Sequence, residues 1–386
     1  MLEENNVLLS IVIPTKDRYE CLIPVVSSIL KKIDSKKIQI VVQDNSTKQN
    51  LRFVEIINDT RLVYNYFSQE LSIQENTNKA IDQATGKYLI FIGDDDIVSS
   101  QILDIVKFID LKNIDCLVYN PSYYWWDTVQ FSSPNYYYRN NVLWIPKIDK
   151  LELIERNSEV ELNNTLSSGA SNFQNLPKFY HGIVSRIILE KIKSKTGAYL
   201  NGSSPDIAFS ISIALVLDKY YYLNFPVSVF GASKNSGGGM TVRKKHYGKI
   251  EDQKFLPKNI LEIWNKHIPY IWSERSIYAQ TVLEILQIFN ENRNFNYLAF
   301  YSTILTYEPY LYKYIFRSIL GFCRLNVFKY LILFSYLIKK ILGKIKRTIH
   351  FKNKRLNYDV IEIHNISIAM NSMLIENIYP FKLNKV

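Results

Sequence analysis

The chain has 386 residues, of which 47% are hydrophobic and 22% charged, and carries a formal net charge of +11. That length holds one large domain or two ordinary ones, and that balance excludes a disordered or collagen-like chain. Three widely spaced cysteines, Cys21, Cys116 and Cys323, exclude a disulfide framework or a cysteine metal cluster and are expected to be reduced, buried thiols of a cytosolic protein.

The first six residues are acidic and polar, with no secretory pattern. Residues 8–14 read as a strand that closes on Pro14-Thr15-Lys16-Asp17-Arg18, followed by a helix over 20–32. Residues 38–43 form a second buried strand ending at Asp44-Asn45-Ser46-Thr47. A helix over 50–57, a strand over 61–67 and a helix over 72–84 follow, the last opened by Ser72 and Glu75 at capping-box spacing. Five apolar residues, 88–92, lie between Gly86 and Gly93 and read as a buried strand. A helix over 101–111 and a strand over 115–119 complete the pattern. Strands alternating with helices predict βαβ units and a mainly parallel sheet. Right-handed crossovers then align Pro14, Asp44 and Asp94 along one sheet edge.

Beyond Pro121 the pattern loosens into aromatic stretches at 123–126 and 136–138, which suit either stacking on a flat ligand face or packing beneath a long loop. Residues 157–177 read as a polar loop and 184–192 as a helix. Ser204-Pro205-Asp206 opens a second helix to 217, and 219–223 is a strand. A glycine-rich loop at 236–240 leads into Arg243-Lys244-Lys245-His246, a segment that reads as a mobile lid over phosphates or as a plain surface loop. From about 259 onward the sequence is mostly helical. The expected division is an α/β domain over 1–250 and a helical, basic, aromatic region over 251–386.

The charge is localised. Residues 309–358 contain 12 Lys/Arg and no Asp or Glu, leaving 35 basic and 36 acidic residues elsewhere. Within that segment residues 327–338 are the most apolar run, yet too short for the roughly 20 residues of a spanning helix. A basic amphipathic stretch of this kind suits the interface of an anionic membrane leaflet. The rival readings are a plain helical region with a solvated basic face and, last, a nucleic-acid surface; no nucleic acid is expected.

Asp94, Asp95 and Asp96 emerge at the carboxyl end of the 88–92 strand, where open α/β sheets bind ligands. Three adjacent anions need compensation, which a divalent metal shared with a phosphate-bearing ligand supplies; a solvated acidic turn is the plain alternative. With Ile11-Val12-Ile13-Pro14-Thr15, Val41-Val42-Gln43-Asp44-Asn45-Ser46, Asn78 and Ala84-Thr85-Gly86-Lys87-Tyr88, this segment resembles the inverting family 2 glycosyltransferases of the GT-A (Rossmann-like) fold. The resemblance covers about the first hundred residues strongly, fades towards 250, and is absent from the C-terminal third.

The resemblance implies that Asp44 accepts a hydrogen bond from a nucleotide base, that Pro14 and Thr15 line the base pocket, and that Asp94 faces the nucleoside. It assigns Asp96 to a Mn²⁺ or Mg²⁺ ion bridging the diphosphate, with Asp95 undecided between the two roles. It also implies that Asp206 is the general base, where a helix-capping role is the plain alternative, and that His181 shapes an acceptor pocket, where a structural role is the alternative. Arg243 and His246 are candidate lid residues. The donor expected is a UDP-sugar, the acceptor a surface-polysaccharide or lipopolysaccharide precursor, glycan or lipid-linked, and the location the cytoplasm or the inner face of the membrane. Asp94-x-Asp96 also fits the nucleophile pattern of haloacid dehalogenase phosphatases, and a non-catalytic glycan-binding protein is a third reading.

Overall fold

The computed structural model describes residues 7–242, 247–354 and 358–366. The chain starts with β1 (Leu9–Thr15), α1 (Tyr19–Lys32), β2 (Ile38–Asp44), α2 (Arg52–Ile57), β3 (Leu62–Tyr66), α3 (Ile73–Asp82) and β4 (Tyr88–Phe91). After the acid triplet come β5 (Ile97–Val98), α4 (Ile102–Leu111), β6 (Cys116–Tyr119), β7 (Ser122–Trp125), β8 (Val142–Pro146), β9 (Leu153–Asn157) and α5 (Ser158–Ser167). Next are β10 (Gly182–Ser185), α6 (Arg186–Thr196), α7 (Pro205–Ala214), β11 (Lys219–Leu223), β12 (Ser228–Ala232) and α8 (Gly237–Val242). The last part holds β13 (Tyr247–Gly248), α9 (Ile260–Ile263), β14 (Trp272–Ser273), α10 (Glu274–Ile288), α11 (Tyr297–Tyr307), α12 (Tyr312–Cys323), α13 (Val327–Lys354) and β15 (Tyr358–Glu362).

The main sheet runs β3-β2-β1-β4-β10-β6-β11-β9. Only β10 and β9 run against the rest, so the expected parallel α/β layer is present. Thr15 pairs in register with Asp44, and the N–H of Ile92 donates to the carbonyl of Val12, which aligns the three strand ends on one edge. Strand alternation sorts the core into two faces: Ile11, Ile13, Ile40, Val42 and Ile90 point one way, and Val12, Val41, Leu89 and Phe91 the other. The second face is covered by α7 together with Val282, Ile285, Phe300, Tyr301 and Ile315 from α10 to α12. Helices after residue 251 therefore share one core with the sheet.

Several elements differ from the sequence reading. Residues 157–177 are not one long loop. Asn157 accepts from the N–H of Val160 and caps α5, which buries Leu162 and Leu166 one turn apart. The 184–192 stretch starts as β10, because Ile183 and Val184 insert between β4 and β6 before the chain turns directly into α6. The glycine-rich 236–240 segment is largely helical in α8, held by Ser236, whose hydroxyl accepts from the N–H of Gly239. A second sheet, β15-β8-β7-β12-β5, was not anticipated. Here the aromatic stretches find their place: Trp125, Tyr138 and Trp144 pack edge-to-face.

Because α11 belongs to the sheet's own core, Phe300→Ala should cost about 3–5 kcal/mol. Urea unfolding followed by tryptophan fluorescence and by circular dichroism should give one coincident transition; two separated transitions would show that the C-terminal helices form an independent unit.

Candidate active site

The acid triplet is where the two sheets meet: the chain leaves β4, passes Gly93, Asp94, Asp95 and Asp96, and enters β5. All three carboxylates are buried. Arg18, three residues beyond the end of β1, reaches back with Nη1 3.0 Å from Asp94 Oδ1 and Nη2 2.6 Å from Asp95 Oδ2. The hydroxyl of Thr15 donates to Asp94 Oδ2 at 2.6 Å. Asp95 Oδ2 also accepts from the N–H of Ser233 at 3.0 Å. Burial pushes Asp94 up to about 7 and raises Asp95, with Arg18 opposing both shifts.

Asp96 has a different environment. Its Oδ2 accepts from the N–H of Gly93 (2.7 Å), the hydroxyl of Tyr180 (2.8 Å) and Nε2 of His181 (3.0 Å), and its Oδ1 accepts from the N–H of Gly231 (2.7 Å). Burial acts to raise Asp96, but His181 and the two backbone N–H groups outweigh it and hold the carboxyl below its usual range. His181 occupies the left-handed region at φ 52°, its N–H on the carbonyl of Phe91 and its Nδ1 2.6 Å from Ser228 Oγ. That backbone turn aims the ring at Asp96. Gly231 is required here by close approach, since a Cβ at that position would lie 1.7 Å from the carbonyl oxygen of Asp95.

Asp44 is fully buried and accepts from Tyr19 and Tyr64 hydroxyls and from the N–H of Ser46. Pro14 lies beside it on β1, half-buried. Asp206 stands in the first turn of α7, after Pro205; Ser204 occupies the cap position without making a side-chain cap bond. The Asp206 side chain is open to solvent yet densely surrounded by protein. Burial pushes it up to about 6, with His181 and Lys178 lowering it and Asp96 raising it. The loop leading to α7 is clamped from two sides. Asn78 on α3 exchanges two 2.9 Å hydrogen bonds with the backbone of Leu200, and buried Glu284 on α10 accepts from the N–H and hydroxyl of Ser203.

Thr15, Asp94, Asp95, Asp96 and His181 thus form one bonded cluster, with Asp206 in electrostatic reach of Asp96 and His181 and Asp44 at the adjacent strand end. Arg243 and His246 lie outside the described residues. Sequence reasoning missed Arg18, Lys178, Tyr180 and Gly231. Arg18 had a visible signal, as a cation in the loop that follows the first strand end.

No cluster of three or more metal-ligating side chains occurs among the described residues. A Cβ on Gly93 would lie 3.0 Å from Asp96 Oδ2 and 3.2 Å from Asp95 Oδ1, so the two carboxylates flank one glycine. Asp96 Oδ2 is held by three donors and Oδ1 by one, so a hard cation shared with phosphates would reach Asp96 by displacing one of them.

A mainly parallel α/β sheet with an acid triplet at its strand ends carries its polar groups where open α/β sheets bind ligands. Residues 10–160 match the family described as Glycosyl transferase family 2. The putative colanic acid biosynthesis glycosyl transferase WcaA of Escherichia coli (strain K12) is 35% identical over 95 residues, covering 24% of this chain and 34% of that protein. Among solved structures, S. aureus TarS in complex with UDP-GlcNAc aligns at 20% identity over 61% of this chain and 60% of that one, with a TM-score of 0.43. Another TarS structure aligns at 16% identity over 81% of this chain and 88% of that one, also at 0.43.

Two substitutions test the site. Arg18→Met leaves two buried carboxylates without their partner and should cost about 3–5 kcal/mol near neutral pH. Burial already raises both carboxyls in the native protein, Asp94 to about 7, so native and variant lose stability in parallel above the unfolded value of about 3.9, and the deficit should widen only as pH rises through about 7, where the native Asp94 ionises beside Arg18, read by urea unfolding across pH. Gly231→Ala should displace Asp95 and Asp96 together; a variant with unchanged stability and unchanged nucleotide-sugar binding would contradict the geometry described.

Proposed function

We propose that this chain transfers a single sugar from a nucleotide-sugar, UDP-linked, to a hydroxyl of a glycan or lipid-linked acceptor in polysaccharide biosynthesis, with inversion. The observation that carries this reading is Asp206, a solvent-exposed carboxylate in the first turn of α7 that lies in electrostatic reach of Asp96 and His181 and is pushed up to about 6. A general base is best matched near the working pH. In the reaction the acceptor oxygen attacks the anomeric carbon, the bond from that carbon to the diphosphate oxygen breaks, and the acceptor proton passes to Asp206. Attack opposite the leaving group gives inversion.

Pro14, Thr15, Asp44 and Asp94 take the nucleoside end in this reading. Asp44 is buried beneath Tyr19 and Tyr64, so a base reaches it only when one of those hydroxyls gives way. Mn²⁺ or Mg²⁺ would be held by Asp96 with Asp95, and when bound supplies positive charge to the departing diphosphate. Tyr180 and His181 fix the Asp96 carboxylate for that task.

The acceptor side includes an anionic membrane surface. No helix among the described residues is long and apolar enough to cross a membrane. On α12 and α13, however, Phe316, Leu320, Leu331, Phe334, Ile338 and Leu342 are exposed at helical spacing. With the acid-free basic stretch around them, this face suits the inner surface of a cell membrane.

Asp206→Asn should bind donor as the native protein does, by calorimetry with UDP-sugars and Mn²⁺, while transfer falls by about 10²–10⁴-fold. Native activity should rise with pH through about 6, where Asp206 loses its proton, and level off above. Undiminished transfer by Asp206→Asn, or no donor bound across a nucleotide-sugar panel, would overturn the reading.

A further inference from the structure

The turn between α12 and α13 borders an open depression of about 740 Å³, lined by residues 321–329 and by Lys266 and His267 of the segment before α10. No carboxylate lines it. The side chains of Lys266 and Arg324 make no hydrogen bond or ion pair within the described residues. Lys329 is held nearby, donating to the carbonyl of Phe322 at 3.1 Å and lying 4.1 Å from its ring centroid. The buried face of His267 reports the resulting field: its pKa is lowered by burial, then by Lys266, Lys329 and Arg324. Arg324 sits at φ 49°, a backbone setting that side chains other than glycine rarely adopt, and it projects at the tip of the turn.

Directly beside these cations are the most exposed apolar side chains of the turn: Leu325 is 98% exposed, Phe328 77% and Val327 67%. Cations with no carboxylate partner around a concave floor, next to apolar side chains that solvent surrounds, match the two layers of a membrane surface, phosphate above and acyl chain below. We infer that the α12–α13 turn is a headgroup-anchoring site, in which Lys266, Arg324 and Lys329 hold the phosphate of an anionic phospholipid while Leu325, Val327 and Phe328 enter the acyl boundary. The inference rests on the membrane association proposed above and is independent of the sugar transfer.

The test is co-sedimentation of the full chain with phosphatidylcholine vesicles, with and without phosphatidylglycerol. Binding is expected only with phosphatidylglycerol and should weaken with salt. A Lys266→Gln/Arg324→Gln variant and, separately, a Leu325→Ser/Phe328→Ser variant should each lower partitioning by about tenfold or more. Thermal melting and UDP-sugar hydrolysis, which should match the native protein in both variants, separate this outcome from misfolding and from failure of the transferase reading. Unchanged partitioning by either variant, or equal binding to neutral vesicles, would overturn the inference. So would displacement from vesicles by inorganic phosphate, which would make the depression a site for free anions. A native dimer that the apolar variant converts to monomer, without vesicle binding by either, would assign the patch to self-association instead.

Discussion

Three carboxylates in sequence cannot all be buried unless something opposes their mutual repulsion, and in this chain Arg18 meets most of that need. Its two terminal nitrogens divide between Asp94 and Asp95, while Asp96 turns away to His181, Tyr180 and two backbone N–H groups. The partition gives adjacent, chemically identical residues opposite proton affinities: Asp94 and Asp95 are pushed up and Asp96 is held down. Everything that contacts the triplet is constrained by this arrangement. The end of β1 must place Arg18 and Thr15, β10 must bring His181, and β12 must approach closely enough to require glycine at 231.

The triplet also joins the two sheets. Its first side is fixed by the parallel strands β1 and β4, its second by β12 and Trp126, whose indole N–H donates to the carbonyl of Asp95 at 2.9 Å. A ligand bound at the strand ends therefore meets a surface built by both layers. In this site backbone N–H groups of Gly93, Gly231 and Ser233 share the carboxylates with the side chains of Arg18, Thr15, Tyr180 and His181, which favours preorganisation over adjustment.

The parallel half of the fold was readable because its strands are short apolar runs between turn residues, and each ended in a polar residue that the edge alignment then brought together. The helix read over 184–192 is present from Arg186, but its first two residues were misread because β10 passes into α6 without a loop, so Val184 and Ser185 were absorbed into a helical pattern. The α5 segment was hidden by its Ser and Asn content, where only Leu162 and Leu166 mark a buried side. In the candidate site, the placing of the triplet and Asp44 at neighbouring strand ends was legible from position, while roles for these acids and for Asp206 came only with the family resemblance. Their partners were not legible: Arg18 meets Asp94 across 76 positions, Gly231 meets Asp96 across 135, and such pairings arise from strand order rather than from local spacing.

Glu284 and Asn78 grip the loop that delivers Asp206, one from each side of it in sequence. During synthesis the acid triplet and the first strands are complete long before α10 leaves the ribosome. The clamp on Ser203 forms only after that helix has emerged and docked. A partly made chain can thus fold the strand edge that carries the triplet while the loop before Asp206 still lacks one of its two supports, so the order of translation itself delays completion of the candidate site until the C-terminal helices are in place.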